Sequence, residues 1–286
     1  MIQVNTIQTD WSSGVPAGLT WYFIGQPKTG KTTQASRWND GGSKNVIVLD
    51  TDLGADFVED ANVIPIIAVN PPERPVMKGG KRVIRDEMIM TEVIPPEERG
   101  CVYRVGPDKG KAMPAYSLTE ALTWLRKEWT KLPYDTVVID TIDEINKWIE
   151  KETCRHMGIQ SMGEGDYGAD WGMARKRVVN AVLEFQNMIK RYGGTLILIS
   201  HSKTSSIVDG KVQLAPDLPR GLGVSLTARA DAVGYITAEK SNSNLYISFK
   251  SYDERAIGSR LEPLFQKRLV FDYETIKTEI MSYTKE

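Results

Sequence analysis

Residues 22–38 read YFIGQPKTGKTTQASRW: an apolar run, a loop with two glycines, a proline and two lysines, then residues suited to a helix. Within it, Gly25, Gln26, Pro27, Lys28, Thr29, Gly30, Lys31 and Thr32 match G-x-x-x-x-G-K-[ST], and Thr33 follows directly. In that pattern the glycines let backbone N–H groups turn inward around phosphates, and the helix start adds its positive end. The pattern assigns Lys31 to the β- and γ-phosphates and the Thr32 hydroxyl to Mg²⁺. An ordinary Gly-rich turn under a surface lysine is the bland alternative. The position of the motif between a strand pattern and a helix pattern argues against it. The loop therefore predicts ATP, with Mg²⁺, as cofactor.

The rest of the chain supports a buried sheet around this loop. Leu19 to Gly25, Asn45 to Asp52, Val63 to Val69, Thr136 to Asp140 and the TLILISH stretch at 195–201 are short apolar runs, several of them ending in polar residues. Between them lie helical patterns. One follows the phosphate loop and is stopped at Gly41-Gly42. Another opens at Ser117 with Glu120 three residues later, a capping box. IDEINKWIEKETCRHM and MARKRVVNAVLEFQNMIKRY give two more. Strands apolar on both faces and alternating with helices predict an α/β fold, a mostly parallel sheet covered on both sides. Three β-rich stretches after residue 230 predict antiparallel additions at one edge. The segment from Asn70 to Ala115 is rich in Pro and Gly, and it reads as an insertion of one or two hairpins or a loop within a single domain.

Composition narrows the class. The 286 residues carry a formal net charge of -1, unlike a generic polyanion binder. Cys101 and Cys154 form neither a metal spacing nor a disulfide framework, so a reducing cytoplasm is expected. The first residues lack a basic region followed by an apolar one, and no apolar run approaches membrane-spanning length.

Asp140 ends an apolar strand, where an aspartate can hold Mg²⁺ directly or through water; a strand-end Asp can also be only a cap or turn former. Hydrolysis further needs a group that orients or deprotonates water. Asp52 and Glu144 are both candidates, and Asp143 and Glu144 equally suit the first turn of a helix. Ser200 and His201, at the end of TLILISH, are candidate γ-phosphate sensors, with a plain surface histidine as the alternative.

The order of phosphate loop, VLDTD, VVIDT and LILISH resembles the RecA-like ATPase core. GQPKTGKTT, DYGADW, LISHSK, APDLPRGL and ADAVGYI are similar to bacteriophage nucleotide-binding proteins of RecA-like fold, a group related to the phage single-strand annealing ATPases. The resemblance spans about Leu19 to Phe271, outside the insertion. It implies a RecA-like P-loop NTPase, a homo-oligomeric ring or filament, and single-stranded DNA as a possible partner. It also favours Asp52 as the water-activating acid, although the family usually places glutamate there, and Ser200 or His201 as sensor. A Lys or Arg from a neighbouring subunit is implied too, with Lys250, Arg255 and Arg260 in the matching region. Segments 157–170 and 203–223 match the DNA-binding loops of the recombinases. The first is acidic, which is poor for phosphate contact. The second has few aromatics for base stacking. Cations cluster at Arg175, Lys176 and Arg177, and at Lys78, Lys81, Arg82 and Arg85 in the insertion. The sequence thus predicts a Mg²⁺-dependent ATPase acting in phage recombination, annealing or replication. A nucleotide-gated scaffold with weak hydrolysis is the alternative, and a small-molecule kinase the most remote one.

Overall fold

Valine, isoleucine and aromatic runs buried on both faces can only be satisfied in the middle of a covered sheet. The structure, a computed structural model, describes residues 10–85, 87–208, 211–239, 244–250 and 257–284; of 204–208 and 211–214 only the backbone is described. Strand β1 (Thr20–Gly25) leads through the phosphate loop to helix α1 (Lys31–Ala35), then to β2 (Val46–Asp50) and β3 (Asn62–Ala68). The insertion supplies β4 (Glu73–Pro75), β5 (Met77–Lys78), β6 (Lys81–Arg82), β7 (Ile84–Arg85), β8 (Met88–Ile89) and β9 (Thr91–Val93). Next come β10 (Tyr116–Ser117), α2 (Leu118–Glu128), β11 (Thr136–Asp140), α3 (Ile142–Met157) and α4 (Ala169–Arg191). They are followed by β12 (Thr195–Val208), β13 (Lys211–Pro216), α5 (Arg220–Thr227) and β14 (Ala232–Ala238). The last elements are β15 (Leu245–Ser248), β16 (Gly258–Ser259), β17 (Arg268–Val270) and α6 (Tyr273–Met281).

The main sheet runs β10-β3-β2-β11-β12-β1-β14-β15-β17, parallel from β10 to β14 and antiparallel beyond, with β13 on β12 and β16 on β14. This is the expected α/β class with β-rich additions. Both neighbours of β1 come from the last third of the chain, and β12 and β11 separate it from β2. Strand alternation divides the core in two. Tyr22, Ile24, Ile47, Leu49, Val137 and Ile139 face a cluster with residues of α2, α3, α4 and α5. Trp21, Phe23, Val46, Val48 and Val138 face an aromatic cluster with Trp38, Phe249 and Phe271.

Three readings of the sequence need correction. Helix α1 ends at Ala35, well before Gly41-Gly42. Beyond it Trp38 is driven into the core, its ring 4.8 Å from that of Phe23 and 5.4 Å from that of Trp21. Burying an indole of that size outweighs another helical turn. The stretch 203–223 is no open loop: it holds the β12–β13 ladder and the start of α5. The β-rich end closes with a helix, α6, capped by Asp272 accepting from the Thr275 N–H, with Ile276 and Ile280 buried one turn apart.

The insertion contains three hairpin-type pairs, β4–β9, β5–β6 and β7–β8, where one or two hairpins or a loop were expected. Its base is tied to the domain by Arg99, which donates to the Ile94 and Ala115 carbonyls at 2.9 Å and to both oxygens of Glu120 at 2.6 and 2.8 Å. Glu120 is also the capping-box acid of α2, completed by Ser117 as expected. The Arg99 hydrogen bonds hold its carboxyl down to about 2. Glu120→Ala removes the cap and leaves a buried guanidinium unpaired, so we expect a loss of about 3 kcal/mol in chemical denaturation. The lowered pKa fixes the sign with pH. The contribution is complete above about pH 4.3, the usual glutamate value, and is lost as pH falls toward 2.

Candidate nucleotide site

The parallel strands end along one edge, and register decides which side chains meet there. Gly25 stands beside His201, Asp140 beside Ile199, and Asp50 beside Asp140. The loop after β1 closes over that edge. Gly30 adopts a left-handed conformation (φ +76°), and a Cβ there would lie 2.8 Å from the Leu245 side chain. A Cβ on Gly25 would lie 2.9 Å from the Ile236 carbonyl oxygen. Backbone shape therefore asks for glycine at position 30, and packing against a neighbouring backbone asks for it at position 25. Lys28 also has positive φ and is exposed, as are Gln26 and Pro27. The Thr29 hydroxyl donates to the Gln26 carbonyl at 2.8 Å, and the Thr33 carbonyl accepts from Ser36.

Lys31 is buried, with 5 % of its surface exposed, and its ammonium donates to the Gly25 carbonyl at 2.9 Å and the Gln26 carbonyl at 2.8 Å. Burial lowers its pKa, and the negative charges of Asp140, Asp143 and Asp52 act against that shift. The Thr32 hydroxyl donates to the Asp140 carboxylate. Burial raises the Asp140 pKa to about 6, a rise limited by the Thr32 hydrogen bond and by Lys31. A hydroxyl and a carboxylate in contact beside a phosphate loop form a hard-oxygen pair, the donor chemistry that Mg²⁺ takes. The Asp140–Thr141 peptide bond is cis.

The candidate water-activating acids separate. Asp52 is exposed, accepts from the Gly54 N–H at 3.0 Å, and is among the charges acting on Lys31, Asp140 and His201. Glu144 instead lies along α3 and pairs with Lys147 at 2.5 Å. Helix geometry explains the difference, because Glu144 follows the buried Asp143 by one residue and so projects about 100° away. Asp50 is a loop former. Its carboxylate accepts from the Ala55 N–H at 2.9 Å and the Gly54 N–H at 3.1 Å, and burial raises its pKa to about 7.

Asp143 is the site residue that the sequence left undecided. It is buried, accepts from the Ser200 hydroxyl at 2.5 Å and the His201 N–H at 2.6 Å, and lies 3.3 Å from His201 Nδ1. One carboxylate thus fixes Ser200 and His201 to the start of α3; these two residues lie within β12, which runs on to Val208 instead of stopping at His201 as the sequence suggests. Its sequence signal was an acid in a first helical turn, a placement that the helix dipole already explains. Of the residues expected to act between subunits, Arg260 pairs within its own chain with Asp231 and donates to the Ala228 carbonyl. Lys250 follows β15, and Arg255 lies outside the described residues.

Fold and site together define a P-loop NTPase of the α/β class. A family model described as an AAA domain matches residues 17–264, and the chain belongs to that family. No curated protein matches it. Among the described residues, no helix is long and apolar enough to cross a membrane, and Cys101 and Cys154 are unpaired thiols.

The hydrogen bond to Asp143 raises the His201 pKa, opposed by burial and by Lys31. Asp143→Asn should therefore lower the imidazole pKa, which an NMR titration of His201 would detect. By linkage, the pair's stabilisation is complete below about pH 6.5 and is lost as pH rises through the folded value. That pH dependence should disappear in the variant. An unmoved imidazole titration would refute the assignment.

Proposed function

We propose that the protein binds ATP with Mg²⁺ and hydrolyses it by in-line attack of water on the γ-phosphate. The observation carrying this reading is the buried Lys31 inside its glycine loop, with the Thr32–Asp140 pair beside it. Gly25 to Thr33 wrap the phosphates, and Lys31 exchanges its carbonyl partners for β- and γ-phosphate oxygens. Thr32 and Asp140 would hold Mg²⁺, which would supply charge neutralisation to the phosphates. Asp52 orients and deprotonates the water. His201, oriented by Asp143, registers the γ-phosphate. Glu144 has no part in the reaction.

We assign this activity to DNA annealing, recombination or replication, the role of the phage ATPases that the sequence resembles. The protein then works as a cytoplasmic homo-oligomer, and Lys250 or Arg255 of one subunit serves the site of the next. A second reading, a nucleotide-gated scaffold, is favoured by one observation. Asp52 is a short acid whose carboxylate already accepts from Gly54, so it is poorly suited to rapid water activation.

Steady-state ATP hydrolysis with Mg²⁺, with and without single-stranded DNA, tests both. Lys31→Ala should reduce turnover to background. Asp52→Asn should lower kcat about 100-fold with ATP affinity retained. Glu144→Gln should leave kcat unchanged. DNA stimulation supports the recombination role. Tight ATP binding without turnover supports the scaffold instead.

A further inference from the structure

The insertion is built as an arm whose root and tip are treated differently. At its centre three backbone hydrogen bonds of 2.9 Å close a ring: the Val76 N–H donates to Met90, Val83 to Val76, and Met90 to Val83. The stem β4–β9 and the two tip hairpins, β5–β6 and β7–β8, meet at this junction. The stem is neutralised. Arg74 stands opposite Glu92 in register and bonds to both Glu92 and Glu98, at 2.8 and 2.6 Å. The tip is not. Lys78 stands directly opposite Lys81, and Met77 opposite Arg82. Like charges placed opposite each other destabilise a strand pair. Residues 76–85 contain Lys78, Lys81, Arg82 and Arg85 and no acid, although Asp86 and Glu87 follow. None of the four cations has an ion-pair partner among the described residues.

Apolar side chains interleave with these cations. Met77 is 57 % exposed, Ile84 64 % and Met88 68 %. Such residues gain nothing from water, and a solvated charged face has no use for them. Unpaired cations interleaved with exposed aliphatic side chains fit a single-stranded nucleic acid, whose phosphates meet the cations and whose unpaired base faces are covered by apolar contact without aromatic stacking. The arm also leaves the sheet after β3, on the same edge as the phosphate loop. Four strand spacings separate β3 from β1, roughly 19 Å at about 4.8 Å each.

We propose that the hairpin tips of this arm bind single-stranded nucleic acid, with Lys78, Lys81 and Arg82 on phosphates and Met77, Ile84 and Met88 against bases. The inference deepens the DNA-linked role proposed above, and it assigns the contact to the insertion rather than to the strand-end loops.

The test is fluorescence anisotropy of a labelled single-stranded oligonucleotide with the full chain, without nucleotide, over a range of salt concentrations. Lys78→Glu/Lys81→Glu/Arg82→Glu should weaken binding about tenfold or more, and should flatten the log–log salt slope by about 2, near 0.7 for each phosphate no longer neutralised. Met77→Ser/Ile84→Ser/Met88→Ser should weaken binding and leave the salt slope unchanged. Basal ATP turnover should be unaffected in both variants, and thermal unfolding would verify that each remains folded. Wild-type affinity and slope in the charge variant would overturn the proposal, as would a wild-type chain that does not bind the oligonucleotide. Absence of ATP turnover in the wild type would count against hydrolysis alone, because binding is read without nucleotide.

Discussion

A cation removed from water must be compensated by groups that cannot move away, and in this protein that cation is Lys31. Two backbone carbonyls of its own loop hold the ammonium, and three aspartates supply the opposing charge. Those carboxylates come from stretches far apart in sequence. Only parallel strands ending in register bring Asp140 and the loop after Asp50 to one edge, with Asp143 one step into α3. The sheet is therefore the device that places negative charge around a buried lysine. The apolar clusters on its two faces keep that edge stiff. The same low-dielectric setting raises the Asp140 pKa and would strengthen any interaction with a phosphate.

Connections between neighbouring strand ends complete the arrangement. Thr32 ties the phosphate loop to β11, and Asp143 ties α3 to β12. Between them, β1, β11 and β12 are linked through side chains as well as through the ladder. A displacement of His201 would reach Asp143, and through it the first turn of α3. That helix packs on α4, the longest helix described, so the route from loop to surface is short and mechanically continuous.

Much of the sheet was legible because its signals are local. The phosphate loop, the apolar runs of β1, β2, β3, β11 and β12, and the Ser117–Glu120 capping box each lie within a few residues. The grouping of the candidate site was partly legible for the same reason: Asp140 ends β11, Asp52 follows the end of β2, and Lys31 and Thr32 open the helix after β1, all at the edge where parallel strands finish. Asp143 was ambiguous because its partners, Ser200 and His201, lie almost sixty residues away. Glu144 was equally plausible until helix phase separated it from its neighbour. The early end of α1 follows from burial of Trp38 against aromatic residues more than two hundred positions downstream, which no local pattern encodes. Helix α6 was hidden by its shortness, with only Ile276 and Ile280 marking its apolar side.

The pairing of β1 with β12 and β14 bears on how the molecule is made. The strand that leads into the phosphate loop has no partner until residues 195–238 have followed it from the ribosome. That pairing joins strands far apart along the chain, so the loop takes its shape only well after it has been synthesised. Trp21, Tyr22 and Phe23 stay without a sheet for that whole interval. A nascent chain that has passed α4 therefore carries the complete phosphate-loop motif with neither of the strands that give it shape.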